Sequence, residues 1–132
     1  MSTAIEVTIH RLLAVDAVTA IVGEDINPDT AGAPLPSIAL DVVTDRPWEG
    51  LAKSSGTNQA RVTVKLRTRE ALQLSDLGEA VIAGLSRVKA TVQGRRCSWM
   101  RAGADVTRWA DDASMCERLM DWTVTYTDKI EA

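Results

Sequence analysis

Few residues in this chain are of a type that could do chemistry. His10 is the sole histidine, so any Ser-His-Asp arrangement would have to use it. It stands beside Ile9 in helical context, and no serine occupies a nucleophile-elbow motif. An ordinary helix histidine accounts for it. Asp111, Asp112, Glu117 and Asp121 suggest an oxygen-ligand metal site or a small hydrolase, but they lack the loop spacing that such sites use. A turn with solvated acids is the better reading. Cys97 and Cys116 are too few and too far apart for a zinc motif, and read as two reduced thiols. No dinucleotide, Walker or CxxC pattern occurs. These residues predict no catalytic site, no metal and no cofactor, and hence no enzyme.

Two features point to contact instead. Arg61, Lys65, Arg67 and Arg69 alternate along one stretch. They suit a phosphate-contacting stripe, a solvated sheet face with edge-protecting charges, or a surface for a charged protein partner. Trp48 stands in a polar segment beside Arg46, Pro47, Glu49 and Gly50. It either folds back on the core or forms an exposed anchor of the kind that dominates interfaces. Arg46, Trp48, Lys53, Arg61, Lys65 and Arg67 are the candidate interface residues.

The elements that would position them follow from periodicity. In "QARVTVKLR", Ala60, Val62, Val64 and Leu66 face one way while Arg61, Thr63, Lys65 and Arg67 face the other, so this is a half-buried strand. The period then becomes helical: Leu74, Leu77, Val81, Ile82 and Leu85 form an apolar stripe. Thr68 is expected to cap that helix, and Gly78 to mark close packing on the sheet. Ile5, Ile9, Leu12 and Leu13 lie on one face of a first helix. Asp16 is expected to cap a short second one, stopped at Gly23. Pro28, Pro34 and Pro36 argue for a long connection over 24–36. "SIALDVV" is a strand, joined to the next by a long hairpin loop at 44–58. "ATVQGRRCSWMRAGADVTRW" reads as an irregular strand after a turn at Gly94, and "CERLMDWTVTYTD" as a cleanly alternating one. Trp99, Trp109 and Trp122 are expected in the core.

The expected architecture is α+β: an antiparallel or mixed sheet of about four to five strands, with two main helices on one face. The chain's 132 residues fit one domain, 1–132. A formal charge of −3 argues against a general nucleic-acid binder. No targeting segment and no apolar run of about 20 residues is evident, so no membrane partner is expected.

"IHRLLAVDAVTAIVGEDINPDTAGAPLPSIALDVVTDRP" followed by "QARVTVKLRTREALQLSDLGEAVIAGL" resembles the tail completion, or tail terminator, proteins of long-tailed bacteriophages and related gene transfer agents. The resemblance covers about residues 5–86 and consists of elements and spacings rather than a catalytic signature. It implies a virion structural protein at the head–tail junction, assembled in the host cytoplasm. Such a subunit forms a hexameric ring that caps the tail tube, ends its polymerisation and joins tail to head. The implied partners are further copies of the chain, the tail tube protein and the head connector or head-closure protein. DNA would only pass through the lumen. Another neck or head-closure protein is the alternative of the same class.

Overall fold

The computed structural model describes residues 2–29, 34–47, 56–110 and 114–128. Helix α1 (Thr3–Leu13) buries Ala4, Ile5, Val7, Thr8 and Leu12, the stripe its period requires, while Leu13 lies at the margin. Helix α2 (Asp16–Val22) begins one residue earlier than capping by Asp16 would give. Val15 occupies the N-cap, Asp16 lies in the first turn, and the helix stops at Gly23 with a φ of 62°. That backbone is open to glycine at little steric cost.

The sheet follows. Strand β1 (Ile26–Pro28) runs parallel to β2 (Ser37–Pro47). Strand β3 (Thr57–Thr68) lies antiparallel to β2 and leads into helix α3 (Ala71–Leu85). Strands β4 (Lys89–Val92), β5 (Arg95–Trp109) and β6 (Cys116–Thr127) complete a six-stranded sheet in the order β1-β2-β3-β6-β5-β4. The α+β class is as expected, but the strand count exceeds the four to five expected. The two extra strands are short edge pieces. Pro28 ends β1 at the sheet margin, where a missing N–H breaks no ladder.

The hairpin connection is also shorter than expected. Thr44 to Pro47 pair with Arg61 to Asn58 after a bulge between Val42 and Thr44, so the strands take in 44–47 and 57–58 of the expected loop. Residues 48–55, with Trp48 and Lys53, lie outside the described residues.

One sheet face carries the core. Val62, Val64 and Leu66 of β3 alternate inward beside Ile38 and Leu40 of β2 and Met120, Trp122 and Val124 of β6. The helices cover this face. Leu77, Val81 and Leu85 of α3 are fully buried, and Trp99 is fixed to α1 by its indole Nε1–H, which donates to Thr8 Oγ1 at 3.0 Å. Gly84 meets α2, where an added Cβ would come within 2.8 Å of Val15 Cγ2. Gly78 has a different reason from the one expected. The Arg118 guanidinium, reaching up from β6, fills the space where its side chain would be. Thr68 does not cap α3. It remains in β3, and its hydroxyl donates to Glu70 O while Glu70 takes the N-cap position. Trp99 and Trp122 are core, but Trp109 is 50% exposed. It ends β5 beside Ala71 and Leu74 at the start of α3, where none of the described elements covers it.

Candidate interaction surface

The residues singled out for chemistry do not converge. His10 is exposed on α1, where its Nε2 shares a hydrogen bond with the Gln93 side-chain amide at 2.9 Å. Cys97 and Cys116 are buried free thiols, and burial pushes the Cys97 thiol above its ordinary range. Asp111 and Asp112 lie outside the described residues. Among the described residues, no three His, Cys, Asp or Glu side chains group as metal ligands would.

The sheet face away from the helices carries the charged residues instead. On it, Lys65 lies opposite Ala39 and Leu119, and Arg67 opposite Ser37 and Glu117. Both cations are answered inside the chain. Lys65 Nζ stands 2.5 Å from Asp29 Oδ2, and Arg67 Nη2 lies 3.3 Å from Asp29 Oδ1. Arg67 Nε donates to Glu117 Oε2 at 2.6 Å, and Arg108 Nη2 reaches Glu117 Oε1 at 2.7 Å. The result is one chain of alternating charge, Lys65–Asp29–Arg67–Glu117–Arg108, tying the end of β1 to β3, β6 and β5. Ala39, small and buried, lies within this stretch of the face.

The carboxylates respond as such pairing requires. The hydrogen bond from Lys65, aided by the charges of Lys65 and Arg67, holds Asp29 below the usual carboxylate range. Burial pushes Glu117 upward, but the hydrogen bonds and charges of Arg67 and Arg108 outweigh it and the net direction is down. Arg67 is thus a strut within the sheet. Any partner that recruits Lys65 or Arg67 must compete with Asp29 and Glu117. A second network braces the helix side: Asp105 accepts from Arg118 Nε at 2.8 Å and pairs with Arg101 across the β5 bulge. The Arg118 hydrogen bond holds the Asp105 carboxyl low. At the sheet's far end Tyr126 Oη donates to Asp45 Oδ1 at 2.5 Å, and burial followed by Asp45 raises the phenol well above its ordinary range.

Of the other candidate interface residues, Arg61 is exposed between Thr44 and Thr123, with no ion pair to another described residue. Arg46 pairs through its backbone with Gln59 at the root of the hairpin. Sequence reasoning missed Asp29, which lies in a proline-bearing connection, and wrongly grouped Glu117 and Asp121 with the solvated acids of a turn: both stand in β6, and Glu117 is buried against Arg67, 50 residues away in sequence. It also missed Arg87, Lys89 and Arg96, which the short strand β4 and its neighbour carry onto the same face as Arg61.

Two stretches of sheet edge complete the surface. Strand β1 covers β2 only at Ile38–Leu40, and β4 covers β5 only at Arg95–Ser98. Beyond an isolated bridge at Trp99, the outer edge of β5 from Met100 to Trp109 has no strand partner among the described residues. The same holds for β2 from Asp41 to Pro47. Val43, Met100 and Val106 are each at least half exposed along these edges.

A family model described as "Tail completion protein gp17" matches residues 8–127. Among solved structures, a chain from "Virion of native gene transfer agent (GTA) particle" superposes with a TM-score of 0.72 at 14% sequence identity, over 94% of each chain. At that identity the likeness is one of fold. Among curated proteins none matches the sequence.

Proposed function

Since this chain belongs to the tail completion protein family and is a structural protein of the virion tail, we propose that it closes into a six-membered ring that caps the tail tube. The cap stops polymerisation and offers the head a surface to join. The observation that carries this reading is the pair of open strand edges on opposite sides of one sheet. Ring closure needs a heterologous interface, in which two different patches of each subunit meet. The β5 edge of one copy and the β2 edge of the next supply two such patches. Because β2 and β5 run antiparallel within the sheet, pairing them across copies related by rotation gives an antiparallel ladder. The hydrogen bonds then satisfy backbone groups that would otherwise template unwanted association. The connection after β2, with Arg46 at its root and Trp48 and Lys53 within it, is the segment that reaches a neighbour.

The termination mechanism is geometric. A ring with paired lateral edges has no free lateral surface, and each contact should bury about 1,000 Å² or act cooperatively around the ring. Its tube-facing side binds the growing end, and its other side lacks the patch that the next tube subunit requires. The tail tube protein and the head connector or head-closure protein are the partners, and no step is catalytic. Particles lacking the gene should yield separate heads and tails, with tails of uncontrolled length or unable to attach. Intact particles from the deletion would overturn the reading.

A further inference from the structure

The outer sheet face divides into two halves of different character. One half holds the closed charge chain just described. In the other, Arg61, Arg87, Lys89 and Arg96 are exposed, and no ion pair joins any of them to another described residue. Two adjoining depressions of about 380 and 400 Å³ run between them, sharing Lys89, Ser98 and Thr125. A third, beside Arg61, continues the same line through Gln59 and Thr123.

The register explains the trough. Lys89 lies opposite Ser98, Ser98 opposite Thr125, and Thr125 opposite Gln59, which makes one polar row across β4, β5, β6 and β3. The rows on either side add Thr123 and Thr127. The floor therefore carries the hydroxyls of Ser98, Thr123, Thr125 and Thr127 amid largely apolar surface, and the cations stand on its flanks: Arg61 on β3, Lys89 and Arg96 on β4 and β5. Three strand spacings separate β3 from β4, about 14 Å. Asp121 and Asp128 border the trough and keep their charge, hydrogen-bonded by neutral side chains, but the four cations outnumber them. Asp121 accepts from Thr63 at 2.9 Å, and Asp128 from Asn58 at 3.1 Å.

Although the chain as a whole carries a formal charge of −3, we propose that this local basic trough binds the phosphodiester backbone of duplex DNA without regard to sequence. Its donors are the kinds that contact phosphate: Arg, Lys, Ser and Thr side chains. Its width suits one backbone strand flanked by charge. A protein partner would call for an apolar centre with a polar rim. Here Ser98, Thr123 and Thr125 run along the centre, and the large exposed apolar side chains lining it, Met100 and Val43, stand apart on β5 and β2 rather than in one cluster. Single strands bind on exposed aromatic platforms; the aromatic residue bordering this trough, Trp99, is 2% exposed and its indole N–H is bonded to Thr8 of α1. The inference goes beyond the ring reading and does not depend on it, because it is measured on the isolated chain.

Fluorescence anisotropy with a labelled duplex, titrated across a salt series, tests it. Four cations on phosphates give a slope of log affinity against log salt near −3.6, or roughly a 100-fold loss between 50 and 200 mM. Lys89→Ala and Arg96→Ala should each reduce that slope by about 1. Both side chains are exposed and make no side-chain bond to another described residue, so circular dichroism should show the wild-type fold. Arg69→Ala, which removes an exposed cation outside the trough, should leave the slope unchanged. The proposal is overturned by any of four results: no binding at 50 mM salt, an equal effect of Arg69→Ala, tighter binding to single strands, or equal binding to polyglutamate.

Discussion

Glu117 is the residue whose loss the sheet should feel most. Its side chain is only 6% exposed, and it receives Arg67 at 2.6 Å and Arg108 at 2.7 Å. Glu117→Ala strands the Arg67 guanidinium, 19% exposed, with Asp29 at 3.3 Å as its remaining partner. Breaking a buried pair by removing one partner costs about 3–5 kcal/mol. Arg67 keeps Asp29 and some water, so the expected cost is about 2–3 kcal/mol. Glu117→Gln keeps the shape and an acceptor but loses the charge, and should cost about 1–2 kcal/mol. Arg108 is 65% exposed, so Arg108→Ala should cost no more than about 0.5 kcal/mol. Urea unfolding reads these as midpoint shifts at constant slope, with Glu117→Ala moving by about 1–2 M. Acid supplies a second readout. Asp29, Asp105 and Glu117 are all held low when folded. Their stabilisation is complete above the unfolded carboxylate range near 4 and is lost as pH falls from there through the folded values. Glu117→Gln should lose less stability over that interval than wild type. If Arg108→Ala costs as much as Glu117→Ala, or the acid profiles coincide, the charge chain is surface decoration and the reasoning fails.

Other expectations follow from single contacts. Thr8→Val removes the acceptor of the Trp99 indole N–H, which is buried at 2% exposure. It should cost about 1–3 kcal/mol by denaturant titration, and a neutral result would mean the indole finds another partner. Gly84→Ala gains about 1 kcal/mol of helix propensity but forces Val15 aside, so a net loss near 1 kcal/mol is expected; greater stability would show that α2 gives way freely. Trp48→Ala should weaken self-association in light scattering while the monomer unfolds at the wild-type denaturant midpoint. A destabilised monomer would instead place Trp48 in the core.

How much of this was legible in the sequence depended on how local each determinant is. Ala60 to Leu66 and Leu74 to Leu85 announce a strand and a helix because each carries its own period. Strand β1 has three residues and ends in Pro28, and β4 has four, so neither is long enough to show alternation. Both form because a neighbouring strand offers its edge. The hairpin reached Pro47 because a bulge after Val42 resets the register, which polar residues at 44–47 conceal. Thr68 carried the usual signal of a cap, but its inward position on β3 placed it in the core instead. Trp109 alternates correctly yet lies beyond the helices' cover. The basic stripe was visible, but not that half of it is neutralised: Arg67 meets Glu117 across 50 residues of chain, and Lys65 meets Asp29 across 36. Sequence gave the candidate interface its cations and gave no sign of which are free.

The central claim is that this chain is the ring at the end of the tail tube. Cryo-electron microscopy of the particles that carry it, with the chain located by its six-stranded sheet, tests that claim most directly. The account predicts a single six-membered ring between tube and head connector, with the β5 edge of each copy against the β2 edge of the next. Copies stacked along the whole tube, or a lone subunit making no lateral contact, would contradict it.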